Sequence, residues 1–326
     1  LALAAIMLIG MMVVSASAVS YNDLTDKDQI VNKDAVSMLV SLGIIEGKPD
    51  GSYGPTENVD RAQMAKMLSV IMNKGVDNSA LYQSVNSGLV DVNTNWAKGH
   101  INYCYTTGII AGRGNGKFDP SATVTALEAA KMLLVAVGYD PAIEGFEGAD
   151  WAINVSVRAD EQGIFEGFTK DLSAPLNRDD AALLIYNALD VEMIQSYTTN
   201  NYPIVYSDHR TILSDKYGVI KVEGVVTANE WAILDDDTDT ALQEGKTRIY
   251  NPDGILSTTG NTAVAQDSSA NVKTQVFNVS TPVDMLGKAV TMYVKKTTIL
   301  ADSTVYGAPV VSCLLYTSPS PRDTER

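Results

Sequence analysis

One segment of this chain occurs three times. It runs GIIEGKPDGSYGPTENVDRAQMAKML from Gly43 to Leu68 and GIIAGRGNGKFDPSATVTALEAAKML from Gly108 to Leu133. The third copy, GIFEGFTKDLSAPLNRDDAALLIYNAL from Gly163 to Leu189, has three residues fewer in its loop. A unit this short carries one apolar face and cannot bury it alone. The copies are therefore expected to pack on one another.

Each copy reads as helix, glycine stop, turn, capped helix. Helical patterns cover Ile30 to Leu42, Trp96 to Thr107 and Trp151 to Gln162, and each ends at a glycine (Gly43, Gly108, Gly163) able to take the positive φ of a helix C-terminus. The apolar pairs Ile44-Ile45, Ile109-Ile110 and Ile164-Phe165 then turn the chain into the core. Asp50-Gly51 and Asn115-Gly116 favour tight turns, with Tyr53 and Phe118 placed to cover the core beyond them. Asp60, Thr125 and Asn177 are good N-cap residues. Gln63, Glu128 and Asp180 stand three positions later, so all three copies carry a capping box or a close variant.

These residues resemble the S-layer homology module, which usually occurs in threes in exported bacterial proteins. Its pattern has an Asp before a Trp-Ala helix start, then Gly-Ile-x-x-Gly, a glycine-rich turn with an aromatic, and Thr-Arg-Ala-Glu at the second helix. Copy two has Asp91, Trp96-Ala97, GIIAG, GNGKF and Thr125-Ala126-Leu127-Glu128; copy one has Asp23, GIIEG, PDGSY and Asp60-Arg61-Ala62-Gln63; copy three has Trp151-Ala152, GIFEG and Asn177-Arg178-Asp179-Asp180. The resemblance covers Tyr21 to Ile194. It implies a mainly α pseudo-threefold bundle of three modules at 19–80, 85–146 and 147–196. It also implies grooves between modules that bind secondary cell-wall polysaccharide, often one carrying a pyruvate ketal, and so anchor the protein non-covalently to the envelope.

A pyruvylated sugar presents a carboxylate, and an arginine in the first turn of a helix offers a forked donor set beside free backbone N–H groups. Arg61 and Arg178 occupy that place, while copy two has Ala126 there, which predicts a weakened groove. The alternative for both arginines is a solvated first-turn residue. Trp96 and Trp151 have two readings, core packing or a surface on which a sugar stacks. Asp23 and Asp91 are candidate acceptors for sugar hydroxyls. Gly47 and Gly112 shape the loops. Copy one lacks the Trp, and copy three lacks a clear leading Asp.

The rest of the chain sets the context. Leu1 to Val14 is uncharged and apolar and is followed by Ala16-Ser17-Ala18, which reads as a signal peptide over 1–18 and hence export. No membrane association is expected after its cleavage. From Tyr197 the helical spacing gives way to β-branched alternation in Val219–Val226, Glu230–Leu234, Lys246–Tyr250 and Ala289–Lys295. A mostly-β region, a small barrel or sandwich that is itself incomplete, is expected over 197–311. The tail at 312–326, SCLLYTSPSPRDTER, resembles translated sequencing-adapter sequence and is read as artefactual, which leaves Cys104 as the one cysteine.

Lys plus Arg is 24 against 39 Asp plus Glu, a net charge of −15, which argues against nucleic acid as a partner because phosphate binding needs a basic face. Two histidines leave little for metal or imidazole chemistry. Asp235–Asp239 is no EF-hand, since Thr240 and Lys246 stand where Gly and Glu are required. The chain has no G-x-S-x-G, H-E-x-x-H, P-loop or C-x-x-C motif. No enzyme, cofactor or metal centre is expected. The alternatives to an anchor are a subunit of a surface lattice that self-assembles, and an anchor for a catalytic domain beyond this sequence.

Overall fold

The computed structural model describes residues 21–234, 241–252, 254–255, 273–296 and 303–312. The signal-peptide reading, the acidic run from Asp235 and all of the tail except Ser312 lie outside them.

Among the described residues six α-helices come two to a repeat: α1 (Lys33–Ser41) and α2 (Arg61–Met72), α3 (Lys98–Thr106) and α4 (Ala126–Val137), α5 (Trp151–Glu161) and α6 (Arg178–Leu189); they pack across the repeats, α2 on α3, α4 on α5 and α6 on α1. The local signals decide their ends. Gly43, Gly108 and Gly163 have φ of +70°, +79° and +71°. In each case the glycine N–H bonds back to the carbonyl of the penultimate helical residue (Val40, Tyr105, Asp160), and the following Ile44, Ile109 or Ile164 N–H reaches that of Leu39, Cys104 or Ala159. This double closure satisfies the last carbonyls of the helix. The second helices all start one residue after the expected caps. Asp60 and Thr125 complete reciprocal capping boxes with Gln63 and Glu128. Asn177 caps Asp180 N–H, but the Asp180 carboxylate pairs with Lys170 instead of reaching back.

The repeats are joined where these helices begin. Val59 N–H donates to Leu176 O (2.8 Å), Leu176 N–H to Val124 O (2.8 Å), and Val124 N–H to Val59 O (2.9 Å). These are the residues just before the three N-caps, and the ring they make is closed and buried. The orphan N–H groups of each second helix are satisfied by the loop of another repeat. Ala62 N–H bonds Pro120 O, Leu127 N–H bonds Leu172 O, and Asp179 N–H bonds Pro55 O. Asn32, ahead of α1, donates through backbone and side chain to the Asp179 carboxylate. A continuous apolar core runs through all three repeats, with Leu39, Leu68, Ile101, Leu133, Val155 and Ile185 fully buried in it.

The β region is antiparallel. A hairpin of β1 (Ile194–Tyr197) and β2 (Pro203–Val205) leads to a sheet of β3 (Val219–Asn229), β4 (Thr247–Tyr250), β5 (Thr274–Phe277), β6 (Ala289–Lys295) and β7 (Val305–Val311). The strand order is β5-β4-β3-β6-β7. The sheet is therefore open, which corrects the expectation of a barrel or sandwich: β5 and β7 are its edges and do not pair with each other, and β7 instead lies against α1, with Gly307 close to Met38. Alternation along β3 sends Ile220, Val222 and Val226 to a second small core with Ile249, Phe277 and Met292. Lys221 and Glu223 face the other way, and Lys221 meets Asp190 at the end of α6 (3.2 Å). The expected strand at Glu230–Leu234 is a turn, because the Asn229 carboxamide oxygen accepts from the N–H groups of Trp231 and Ala232 and folds the chain back.

Candidate functional site

Arg61 begins α2, yet its side chain belongs to the next repeat. Its Nε donates to Phe118 O (2.8 Å) and its terminal nitrogen to Ala111 O (2.9 Å), with the guanidinium 4.3 Å from the Phe118 ring centre. Arg178 repeats the arrangement on the first repeat: Nε to Tyr53 O (2.9 Å), a terminal nitrogen to Glu46 O (3.3 Å), and the guanidinium 4.8 Å from the Tyr53 ring centre. The two arginines thus lock a neighbouring loop in the same register, Arg61 buried and Arg178 half-buried. Burial first, and then the charge of Arg113, push the Arg61 pKa down to about 10.

Both guanidinium groups line a crevice. The first groove, about 190 Å³, collects Glu46 and Tyr53 of the first loop, Gln63 and Lys66 of α2, Arg178 of the third repeat and Trp96 of the second. The second groove, about 380 Å³, collects Ala111, Gly112 and Arg113 of the second loop, Glu128 and Lys131 of α4, Arg61 of the first repeat and Trp151 of the third. Each groove therefore draws on all three repeats. Trp96 is 58 % exposed and Trp151 is half-buried with Lys131 Nζ 5.8 Å from its ring centre. Trp96 stands clear of the core, whereas Trp151 packs against the edge of it. Around Gly163, Glu166 and Gly167 a third cleft opens, about 620 Å³, whose far wall is Thr291, Tyr293 and Val310 of the sheet.

The predicted acidic residues have other work. The Asp91 carboxylate accepts from Phe118 N–H (3.0 Å) and Asp119 N–H (2.8 Å), so it holds the loop that Arg61 also grips. Its counterpart in the first repeat is Asp26, not Asp23: the Asp26 oxygens accept from Tyr53 N–H (2.7 Å) and Gly54 N–H (2.8 Å). Asp23 lies in a 3₁₀ turn, Tyr21–Asp23, and neither groove includes it. Gly112 lines the second groove, and a Cβ there would meet Lys117 O at 2.8 Å, so the tight loop requires glycine. Gly47 is half-buried in the equivalent first loop.

Sequence reasoning missed Lys66 and Lys131. They stand at the same place in the second and fourth helices, one turn and a half past the caps, and that repetition was a readable signal. Lys66 pairs with Glu46 (3.0 Å). Burial lowers the Lys131 pKa; Glu147 offsets this in part, while the charge of Arg61 adds to it.

Among the described residues no group of three or more His, Cys, Asp and Glu side chains could hold a metal ion, and no helix is long and apolar enough to cross a membrane. Cys104 is buried and burial raises its pKa, so the thiol is held protonated and unreactive.

These features define a repeat-built protein whose repeats share polar, aromatic-edged grooves. The chain carries the S-layer homology domain, whose sequence pattern matches residues 20–65 and 90–130. It is 30% identical over 253 residues to a cell surface protein of Thermoanaerobacter kivui, covering 76% of this chain and 30% of that protein. It is 33% identical over 113 residues to an S-layer protein of Bacillus licheniformis (35% of this chain, 12% of the relative) and 29% identical over 188 residues to the exoglucanase XynX of Acetivibrio thermocellus (53% and 16%). The chain thus spans less than a third of each relative. At the level of the family, these matches support cell-wall anchoring and a place at the cell wall or surface.

Proposed function

We propose that this chain anchors an exported protein non-covalently to the bacterial cell wall by binding pyruvylated secondary cell-wall polysaccharide in its inter-repeat grooves. The three repeats act as a pseudo-threefold bundle, a reading that the ring through Val59, Val124 and Leu176 supports. The observation that carries the function is the placing of Arg61 and Arg178 in separate grooves, each beside the tryptophan of another repeat. A guanidinium with unused donors binds a carboxylate, and an exposed indole takes the apolar face of a sugar ring. This reading assigns the described residues no catalysis and no cofactor.

The test is retention of the chain on purified pyruvylated wall polysaccharide. The wild type should sediment with it, and Arg61→Ala with Arg178→Ala should abolish retention, whereas Lys48→Ala should not. No retention of a folded wild type at low salt would remove this function.

Names of relatives such as S-layer protein favour a second role, as a subunit of a self-assembling surface lattice. Assembly of the chain into sheets visible by electron microscopy tests it, and a strictly monomeric protein at high concentration would count against it.

A further inference from the structure

The two arginine-bearing grooves differ at one repeated position. Where the first loop has Glu46, the second has Ala111; the backbone carbonyls of both accept from an arginine, but only Glu46 adds a carboxylate. That carboxylate sits 3.0 Å from Lys66 Nζ. The corresponding Lys131 has no acid at the position of Glu46; it rests instead near the Trp151 ring and shares the second groove with Arg61. Two acids line this groove: Glu128 is taken by Arg113 at 2.5 Å, and Glu147 offsets part of the Lys131 shift but forms no ion pair with it among the described residues.

We propose that the two grooves are unequal: the second is the principal site for a carboxylate-bearing saccharide, gripped by Arg61 and Lys131 together, and Glu46 acts in the first as a built-in competitor that occupies Lys66. This rests on the reading that the grooves take acidic saccharide. The physical case is one of unmet charge. Lys131 shares a partly buried groove with Arg61, whose charge adds to the cost of ionisation that burial already imposes on the lysine. An incoming carboxylate relieves both, and it meets a planar guanidinium on one side and an ammonium over an indole on the other. In the first groove the same ligand must displace Glu46 from Lys66 and approach a fixed negative charge. The Glu46–Lys66 pair is exposed and weak, so the groove is handicapped and not closed.

Tryptophan fluorescence separates the grooves, because Trp96 edges the first and Trp151 the second. The full chain is titrated with three probes: a saccharide bearing a 4,6-pyruvate ketal, the same saccharide without the ketal, and a uronic-acid saccharide of equal length. Trp96→Phe and Trp151→Phe assign the signals, and the melting temperature of each variant checks folding. The ketal probe should perturb Trp151 at a concentration about tenfold below that for Trp96. Lys131→Met and Ala111→Glu should each weaken the Trp151 response about tenfold, as loss or neutralisation of a charge-assisted contact does, and Lys131→Arg should restore much of it. Glu46→Ala should strengthen the Trp96 response about threefold, the scale of an exposed ion pair. A matching response to the uronate would make the carboxylate, and not the ketal, the recognised group.

Trp96 and Trp151 responding at the same concentration, with Glu46→Ala and Lys131→Met without effect, would overturn the inequality while leaving the groove function standing. A folded wild type that responds to none of the probes would overturn both.

Discussion

The backbone N–H of Val59 donates to the carbonyl of Leu176 at 2.8 Å, joining the first repeat to the third directly. Val124 completes the ring. A proline at Val59 removes this donor at a residue that is 1 % exposed, where water cannot replace it. Val59→Pro should lower stability by about 1–3 kcal/mol or more through the unpaired Leu176 carbonyl, and Val124→Pro should do the same at its own link. Chemical denaturation of both variants checks this; a loss confined to one would show that the links are not equivalent.

Arg61 and Arg178 play the same part with unequal burial, so their removal should differ. Arg61→Met keeps the length and leaves the carbonyls of Phe118 and Ala111 without their donor, costing about 1–3 kcal/mol. Arg178→Met should cost less, since its side chain is half-buried and water can reach Glu46 O. Arg61→Lys should recover only part, because an ammonium cannot span two carbonyls as the planar fork does. Thermal melts of the three variants rank them.

Asp91 ties acid sensitivity to the groove loop. Burial alone would raise its pKa, but the amides of Phe118 and Asp119 hold the carboxylate and bring it below the usual value. A depressed carboxylate contributes stability above its unfolded pKa of about 3.9, and that contribution is lost as the pH falls through the lower folded value. Asp91→Asn should therefore lower the melting temperature near neutrality and flatten its fall below about pH 4. An unchanged acid limb would remove Asp91 from the account.

His100 acts in a different window. Its Nδ1 lies 2.6 Å from Ser69 Oγ, and the ring is 3 % exposed. Burial lowers its pKa; Asp77 opposes this and Lys66 adds to it. A depressed base binds its proton first in the unfolded chain, so stability is full above about pH 6.5 and falls as the pH drops through the folded value. His100→Gln, which can still meet Ser69, should flatten the fall of the melting temperature as the pH drops below about 6.5. Because the ring sits edge-on to Trp96 (6.3 Å), the fluorescence of that indole should follow the same titration.

The sequence by itself determined the six helices of the repeat region, their starts at Arg61, Ala126 and Arg178, and their stops at Gly43, Gly108 and Gly163. Caps and glycine stops are satisfied within a few residues, so their signals are local and survive in any tertiary setting. The start of β3 at Val219 and the place of β6 followed from alternation for the same reason, though β3 runs on past Val226 to Asn229. What only the tertiary structure decided is which carbonyl each arginine reaches, that Asp26 and not Asp23 matches Asp91, that Lys66 and Lys131 face the grooves, and that the sheet stays open against α1. Each of these depends on groups brought together from different repeats or from distant strands. Nothing in the spacing along the chain encodes that meeting, since it is fixed by how helices of different repeats pack on one another and bury a common core.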